Sequence, residues 1–311
     1  MKTPSPRILL PAVAALLLTA FGVHLLSAQV DQEFLDSPNA YLGQPRPGFS
    51  PLIFAPGIVS ASDFIHSAPA VSPDGREIYW ALLRNGETPW VRIFYVEFVN
   101  GGWSGPKEAP FSGRDPVTNP FFSPDGSRLF FNREDRLMAV QRLETGWSAP
   151  YDMGPVFDGI HYQGSMTSDG TIYFCVDMNR DRRDLFRSRC LDGVYQPREN
   201  LGPVVNTAFD ECEPFIAPDE SYLIFASNKP GGYGAQDQYI SFQLPDGSWS
   251  LPANLGYLVN SGQFESWASV SPDGKYLFYV STRWKSSPVF WIDARIIDYL
   301  KRKITGSSPK P

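Results

Sequence analysis

A turn phrase of the type Ser-Pro-Asp-Gly recurs through this sequence at intervals of 44 to 54 residues. Its five copies are VSPDGREIYW (71–80), FFSPDGSRLFF (121–131), MTSDGTIYFCV (166–176), IAPDESYLIFA (216–226) and VSPDGKYLFYV (270–280). In each copy a short apolar strand ends at the third position, which is proline in four copies and Ser168 in one, and an alternating strand follows a tight turn that four copies build from Asp-Gly. The fourth copy has Glu220 in place of glycine, which predicts a slightly different turn. Self-similarity at this period is typical of stacked β architectures.

A second phrase, built on Trp-Ser-x-Pro or a close variant, alternates with the first. It occurs at 101–110, 145–154, 193–202 and 247–256, with a degenerate copy at 47–56. A further strand, such as VRIFYVEF, lies between the two phrases. Each unit therefore holds four strands, and such units shield both of their faces only when they pack around an axis. The sequence predicts an all-β fold, a β-propeller of five four-stranded blades, with six blades as the alternative.

The order of the strands predicts how the ring closes. The chain begins with an outer-strand phrase near residue 51 and ends with SPVFWIDA (287–294), the third strand of the last unit. The N-terminal strand would complete the last blade beside it, which removes an open sheet edge. The following DARIIDYLKRK (293–303) has apolar residues at helical spacing and Asp293 as a cap, so a short closing helix is expected.

The composition agrees with a β fold and excludes one class of partner. Aromatic residues make up 14% of the chain and charged residues only 19%, and there are 26 Gly and 29 Pro. Many aromatic residues and turn formers favour strands over helices. The net charge of −6 disfavours nucleic acid, because phosphate backbones require a basic face.

The first 28 residues differ from the rest of the chain. Lys2 and Arg7 precede a long apolar run that ends at the small residue Ala28, which is typical of a signal peptide. The run at 8–27 is also long enough to serve as a membrane tether. Either way the body of the protein is exported, and we expect a monomer. The predicted segments are a signal peptide or anchor at 1–28, an irregular lead-in at 29–45, the propeller at 46–303 and a disordered tail at 304–311.

The repeat resembles that of the TolB family of β-propellers in bacterial exported proteins. The resemblance rests on the Ser-Pro-Asp-Gly phrases and covers residues 45–295; WSLPANLGYLVN (249–260) and DECEP (210–214) are similar to a cell-envelope branch of the family. It implies a periplasmic or secreted bacterial protein that binds an envelope protein or a glycan. TolB itself is typically six-bladed with an additional N-terminal domain, and this sequence departs from both features.

Three cysteines occur in the chain, namely Cys175, Cys190 and Cys212. An odd number in an exported protein allows at most one bridge within the chain. Cys175 and Cys190 fall on neighbouring strands of one predicted hairpin and could pair. The favoured interpretation is that the cysteines are small buried thiols.

Two sets of equivalent positions precede the turn phrases and should converge on the central channel. The first set is His66, Val117, His161, Glu211 and Glu265, and the second is Ala68, Asn119, Gln163, Glu213 and Trp267. Both histidines outside the leader belong to the first set, and the next two blades carry glutamates there. Such a ring could hold a divalent metal through His66 and His161, or could provide an acid–base pair. Polar residues at a wet channel mouth can equally be structural.

Two functions follow from these positions. The favoured one is a protein- or glycan-binding scaffold module of the cell envelope, with Asn119, Gln163, Glu213 and Trp267 near the ligand. The alternative is a carbohydrate-active hydrolase or lyase whose candidate catalytic residues are Glu211, Glu265, His66 and His161. No catalytic sequence signature supports the alternative, and the fold by itself does not decide between the two.

Other side chains are weaker candidates for ligand contacts. Arg187, in an arginine-rich hairpin at 179–189, could meet an anionic group. Trp103, Trp147 and Trp249 repeat in register, which favours packing between blades over ligand contact. Trp267 and Trp284 do not repeat, so one of them could face a ligand.

Overall fold

Five main sheets surround a central axis, which confirms the predicted all-β, five-bladed propeller. The computed structural model describes residues 29–61, 64–65, 67–83, 91–160, 162–179, 182–284 and 287–306. The predicted leader at 1–28, both His66 and His161, and residues 307–311 of the predicted tail lie outside the described residues.

The strands follow the two alternating phrases. Blade 1 holds β2 (Phe64–Ile65), β3 (Ala70–Val71), β4 (Glu77–Leu83), β5 (Arg92–Val99), β6 (Gly102–Trp103) and β7 (Lys107–Glu108). Blade 2 holds β8 (Val117–Phe122), β9 (Arg128–Arg133), β10 (Arg136–Gln141) and β11 (Tyr151–Asp152). Blade 3 holds β12 (Ser165–Met166), β13 (Ile172–Asn179), β14 (Arg182–Ser188) and β17 (Glu199–Asn200), beside a hairpin of β15 (Cys190–Leu191) and β16 (Val194–Tyr195). Blade 4 holds β18 (Glu211–Ile216), β19 (Tyr222–Ser227), β20 (Asp237–Phe242) and β21 (Ala253–Asn254).

Blade 5 is completed by the N-terminal strand, as the order of the strands predicts. It holds β22 (Glu265–Val270), β23 (Tyr276–Ser281), β24 (Val289–Asp293) and β1 (Leu52–Ile53). Leu52 pairs antiparallel with Trp291 on β24. Beyond β1, the buried ring of Phe54 lies 4.9 Å from that of Phe278 and 5.2 Å from that of Trp291. The two ends of the chain therefore share one sheet and one apolar core.

We call the strand that runs into each turn phrase the inner strand. The two ends of the inner strands mark the two ends of the ring. The turn phrases lie at one end, here called the turn end. The loops that precede the inner strands, and the hairpins between the second and third strands, lie at the opposite end, here called the loop end.

The lead-in packs against the turn end of blades 5 and 1. It contains helix α1 (Gln32–Asp36) and a 3₁₀ turn (Ala40–Gly43), whereas the sequence predicts an irregular segment. The Tyr41 hydroxyl donates to Asp273 at 3.0 Å, and its ring lies edge-on to Tyr276. The Arg76 guanidinium lies 4.2 Å from the centre of the Phe34 ring. Aromatic packing thus fixes this segment over the seam where the ring closes.

The repeated tryptophans pack between neighbouring elements, as their register predicts. The Trp147 indole N–H donates to the Tyr79 hydroxyl of the preceding blade at 2.9 Å. Arg142 stacks on Trp147 at 4.3 Å and forms a two-pronged ion pair with Glu77. Trp103 instead donates to the Asn39 carbonyl of the lead-in at 2.7 Å, so the lead-in takes the place of a preceding blade there.

The closing helix is α2 (Arg295–Thr305), which begins and ends two residues later than the predicted segment. Asp293 accepts a hydrogen bond from the Arg295 N–H at 2.9 Å, as expected of a cap, although Ala294 occupies the N-cap position. The helix extends to Thr305, and so enters the segment predicted as a disordered tail. No helix in the described part of the chain is long and apolar enough to cross a membrane.

All three cysteines are free thiols, so the alternative Cys175–Cys190 bridge does not form in this structure. Cys175 and Cys212 are buried, and Cys190 is half-buried. Burial raises the pKa of Cys175 to about 12, so its thiol stays protonated at neutral pH.

Candidate functional site

An apolar cavity of about 340 Å³ lies on the axis at the turn end. All five blades contribute to its wall, chiefly through Val71, Phe121, Phe122, Met166, Phe215, Ile216, Tyr222 and Val270. Equivalent positions of the five turn phrases form its rim, namely Pro73, Pro124, Ser168, Pro218 and Pro272. The fivefold repeat therefore builds one shared recess at the hub.

The lead-in forms part of the cavity mouth. Val30 lines the cavity and is 49% exposed. The first described residues of the lead-in therefore lie beside the opening of the cavity. Ser168 and Pro218 are exposed on the rim. The mouth is therefore covered over blades 5 and 1 and accessible over blades 3 and 4.

Hydrogen bonds between blades surround the inner end of the cavity. Gln163 of blade 3 donates through Nε2 to the Ala268 carbonyl of blade 5 at 2.9 Å. Ser165 accepts from the Ile216 N–H and donates to the Pro214 carbonyl, which joins blades 3 and 4. These polar groups are used within the protein, so the recess offers mainly apolar surface.

Three residues of the second predicted set have left-handed backbone conformations. Asn119, Glu213 and Trp267 have φ values of 54°, 56° and 49°, each inside an irregularity of the inner strand. Such values are unfavourable for non-glycine residues and are often found where a site is built. Only Gln163 and Ala68 of this set line the axial cavity.

Glu213 is an acid buried at the hub. Its side chain accepts a hydrogen bond from the Trp267 N–H at 2.9 Å and is almost completely enclosed. Burial raises the pKa of Glu213 to about 7, while the Trp267 N–H and the Arg183 charge oppose the shift. Glu213 therefore changes its charge near neutral pH, and it links blade 4 to blade 5.

Glu211 and Glu265 occupy matching positions at the loop end of blades 4 and 5. Glu265 accepts from the Ser261 N–H at 2.8 Å, and from the Ser261 and Ser281 hydroxyls at 2.6 Å. Glu211 is bonded in the same way to Thr207 and Ser227. Both are fully buried, and burial raises the pKa of Glu211. These bonds fasten the loop before each inner strand, which is a structural use of the carboxylates.

We expect Glu265→Gln to lower the free energy of unfolding by about 1–2 kcal/mol, because an amide cannot accept all of these hydrogen bonds. Urea denaturation measures the change. Glu144→Gln, on an exposed turn, is the control and should change stability by less than about 0.5 kcal/mol. An unaltered stability in Glu265→Gln would contradict the structural role and restore this carboxylate as a candidate for chemistry.

Arg187 is used within the propeller. Its guanidinium donates to Glu220 at 2.9 Å, to the Tyr173 hydroxyl at 3.2 Å and to Glu199 at 3.1 Å. Glu220 is the residue that replaces glycine in the fourth turn phrase, and it adopts a left-handed φ of 60°. The altered turn thus places a carboxylate that binds blade 3 to blade 4, and Arg187 lies away from the axial cavity wall.

The predicted histidine positions lie outside the described residues, and a metal at His66 and His161 stays a prediction. Among the described residues, no group of histidine, cysteine and acidic side chains could hold a metal ion. The sequence analysis predicts a site at the start of the inner strands and does not predict the cavity at the turn end. The apolar residues that precede each turn phrase line this cavity, and they are the sequence feature that could have indicated it.

The fold and cavity together define a five-bladed β-propeller with an apolar axial recess. No family model matches the chain, and no curated protein matches it. It is similar to the crystal structure of TolB from Acinetobacter baumannii, with 21% identity over 71% of this chain and 51% of that one, and a TM-score of 0.49. The chain thus spans about half the length of that TolB.

Other similar structures include the alpha-L-arabinofuranosidase of Podospora anserina in complex with cellotriose, with 12% identity over 79% of this chain and 94% of that one, and a TM-score of 0.47. A chain of the nidogen/laminin complex shares 16% identity over 76% of this chain and 78% of that one, with a TM-score of 0.49. At these low identities the matches assign no activity, ligand or partner to this chain.

Proposed function

We propose that this protein is an exported binding and scaffold module of the bacterial cell envelope, and that it holds an apolar group of its ligand in the axial cavity. The supporting observation is the recess itself, which all five blades line and which is open over blades 3 and 4. The leader-like segment at 1–28 supports export to the periplasm or beyond.

The cavity is large enough to hold one group of a larger ligand. Its volume of about 340 Å³ is at the lower end of the range for small-molecule sites. The wall serines at 165 and 269 already donate to backbone carbonyls. An inserted group therefore gains mainly from burial of apolar surface, at about 25 cal/mol per Å².

The hydrolase or lyase alternative has less support. A glycoside-cleaving pair needs carboxylates that reach the substrate. Glu211 and Glu265 are fully buried and are bonded to their own loops. Binding is therefore the function that the described residues favour.

An apolar fluorescent probe, N-phenyl-1-naphthylamine, tests the proposal on the protein recovered from the exported fraction. We expect one probe per protein, with binding weakened at least about tenfold by Ser168→Trp at the rim and by Val270→Trp in the wall. Val194→Trp, at a position 62% exposed on β16 of the small β15–β16 hairpin, is the control. Absence of binding, or equal binding by all variants, would refute the cavity as the site.

A further inference from the structure

The axial cavity is deep along the axis of the ring. Its wall extends from Ala68 to Pro73 in blade 1 and from Gln163 to Ser168 in blade 3. Five residue steps of extended chain cover roughly 15 Å. A volume of about 340 Å³ spread over this depth makes the cavity a narrow, elongated recess rather than a broad bowl.

The recess offers an apolar surface along its length. No side chain that lines it, among the described residues, carries a charge. At its inner limit the Gln163 side chain passes from blade 3 to blade 5 and donates to the Ala268 carbonyl at 2.9 Å. Between this bond and the rim, the wall consists chiefly of aliphatic side chains, aromatic side chains and prolines.

The backbone edges that face the axis are partly capped. The inner strands of blades 2 to 5 are the last strands of their sheets, so one backbone edge of each faces the axis. The Ser165 hydroxyl donates to the Pro214 carbonyl at 2.9 Å, and the Ser269 hydroxyl donates to the Pro69 carbonyl at 3.2 Å. Pro69, Pro120 and Pro214 also have no N–H to donate. The wall is therefore poorly suited to pair with a polar chain.

We propose that the recess holds the acyl chain of a lipid, with the lipid head group outside, over blades 3 and 4. An extended peptide or a sugar would bring amide or hydroxyl groups into the recess, and each costs free energy when it is buried without a partner. A straight hydrocarbon chain has no such group and matches a narrow, elongated space. This inference rests on the proposed function, because it names the apolar group that the cavity binds.

The charges at the open side of the mouth disfavour an anionic head group. Asp169 and Asp219 directly follow the two exposed rim residues and are themselves exposed. They accept hydrogen bonds from the N–H groups of Thr171 and Ser221 within their own turns. The neighbouring arginines of blade 3 are already in ion pairs, namely Arg187–Glu220 and Arg189–Glu199. A zwitterionic lipid therefore suits this mouth better than a free fatty acid.

The lead-in places the mouth close to a source of lipid. Val30 lines the recess, and the apolar run that could serve as a membrane tether ends at residue 27. Where this run is retained, three residue steps separate it from Val30, which is at most about 10 Å. The mouth would then lie at the membrane surface, within reach of acyl chains.

Titration calorimetry with decanoyl, dodecanoyl and tetradecanoyl lysophosphatidylcholine, each below its micelle concentration, tests the proposal on the exported protein. We expect one lipid per protein, displacement of N-phenyl-1-naphthylamine, and an affinity that rises about fourfold with each methylene group that enters the recess. The rim variant Ser168→Trp should weaken binding of every chain at least about tenfold. The matched control is Ser248→Trp, at an exposed position between β20 and β21, which should bind as the wild type does.

Three results would overturn the lipid proposal: no binding, an affinity that does not rise with chain length, or an equal loss in both tryptophan variants. Fatty acids of the same lengths form a second arm, and binding of these without the lysophosphatidylcholines would refute the zwitterionic lipid as the source of the chain. Apolar peptides that displace the probe, without lipid binding, would assign the recess to a protein partner. Probe binding without lipid binding would refute this inference alone, whereas absence of both would also refute the proposed function.

Discussion

Replacing Tyr41 by alanine should lower the free energy of unfolding by about 3–5 kcal/mol, which is the usual cost of removing a large buried aromatic side chain. Tyr41 is 1% exposed, and its ring lies 5.2 Å from that of Tyr276 and 5.8 Å from that of Trp291. Its hydroxyl also donates to Asp273. The substitution opens a cavity at the seam where blades 5 and 1 meet the lead-in.

Urea denaturation of three variants separates the contributions to this effect. Tyr41→Phe keeps the ring and should cost only about 1 kcal/mol, the worth of one hydrogen bond. Tyr299→Ala, at a position 58% exposed on α2, should be close to neutral. If Tyr41→Ala were as mild as Tyr299→Ala, the lead-in would not be part of the folded core.

The second large effect is a dependence of stability on pH that originates at Glu213. Burial raises its pKa from 4.5 to about 7, so the folded protein binds a proton that the unfolded chain releases between these values. The resulting stabilisation is fully present below about pH 4.5 and is lost as the pH rises through about 7. A shift of this size corresponds to on the order of 3 kcal/mol.

Glu213→Gln tests this contribution because its amide resembles the protonated acid. The carbonyl can still accept the Trp267 N–H bond, so we expect wild-type stability near pH 5. At pH 8 the variant should be the more stable protein, by up to about 3 kcal/mol. The measurement is urea denaturation of both proteins from pH 5 to pH 8. Parallel profiles would show that Glu213 does not titrate in this range.

The architecture could be predicted from the sequence because it is repeated and local. Each turn phrase marks one blade, and the strands around it alternate with the period of a sheet. The position of β1 beside β24 could be predicted because the last blade would otherwise have an unpaired strand at its edge. Glu220 marked an irregular turn, but its pairing with Arg187 depends on a contact between blades that no local pattern shows.

The lead-in and the candidate site were harder to predict. Tyr41 binds the turn of blade 5, 232 residues further along the chain, so its role depends on closure of the ring. Asn119, Glu213 and Trp267 adopt left-handed φ values without the glycine that usually signals them. Those irregularities redirect the inner strands, which helps explain why only part of the predicted channel set reaches the cavity.

A crystal structure of the protein with bound N-phenyl-1-naphthylamine tests the central claim most directly. We expect five blades, β1 paired with β24, and the probe on the axis at the turn end, in contact with Phe122, Met166 and Tyr222. A different number of blades, or a probe bound away from the axis with the recess filled by the protein itself, would contradict the account.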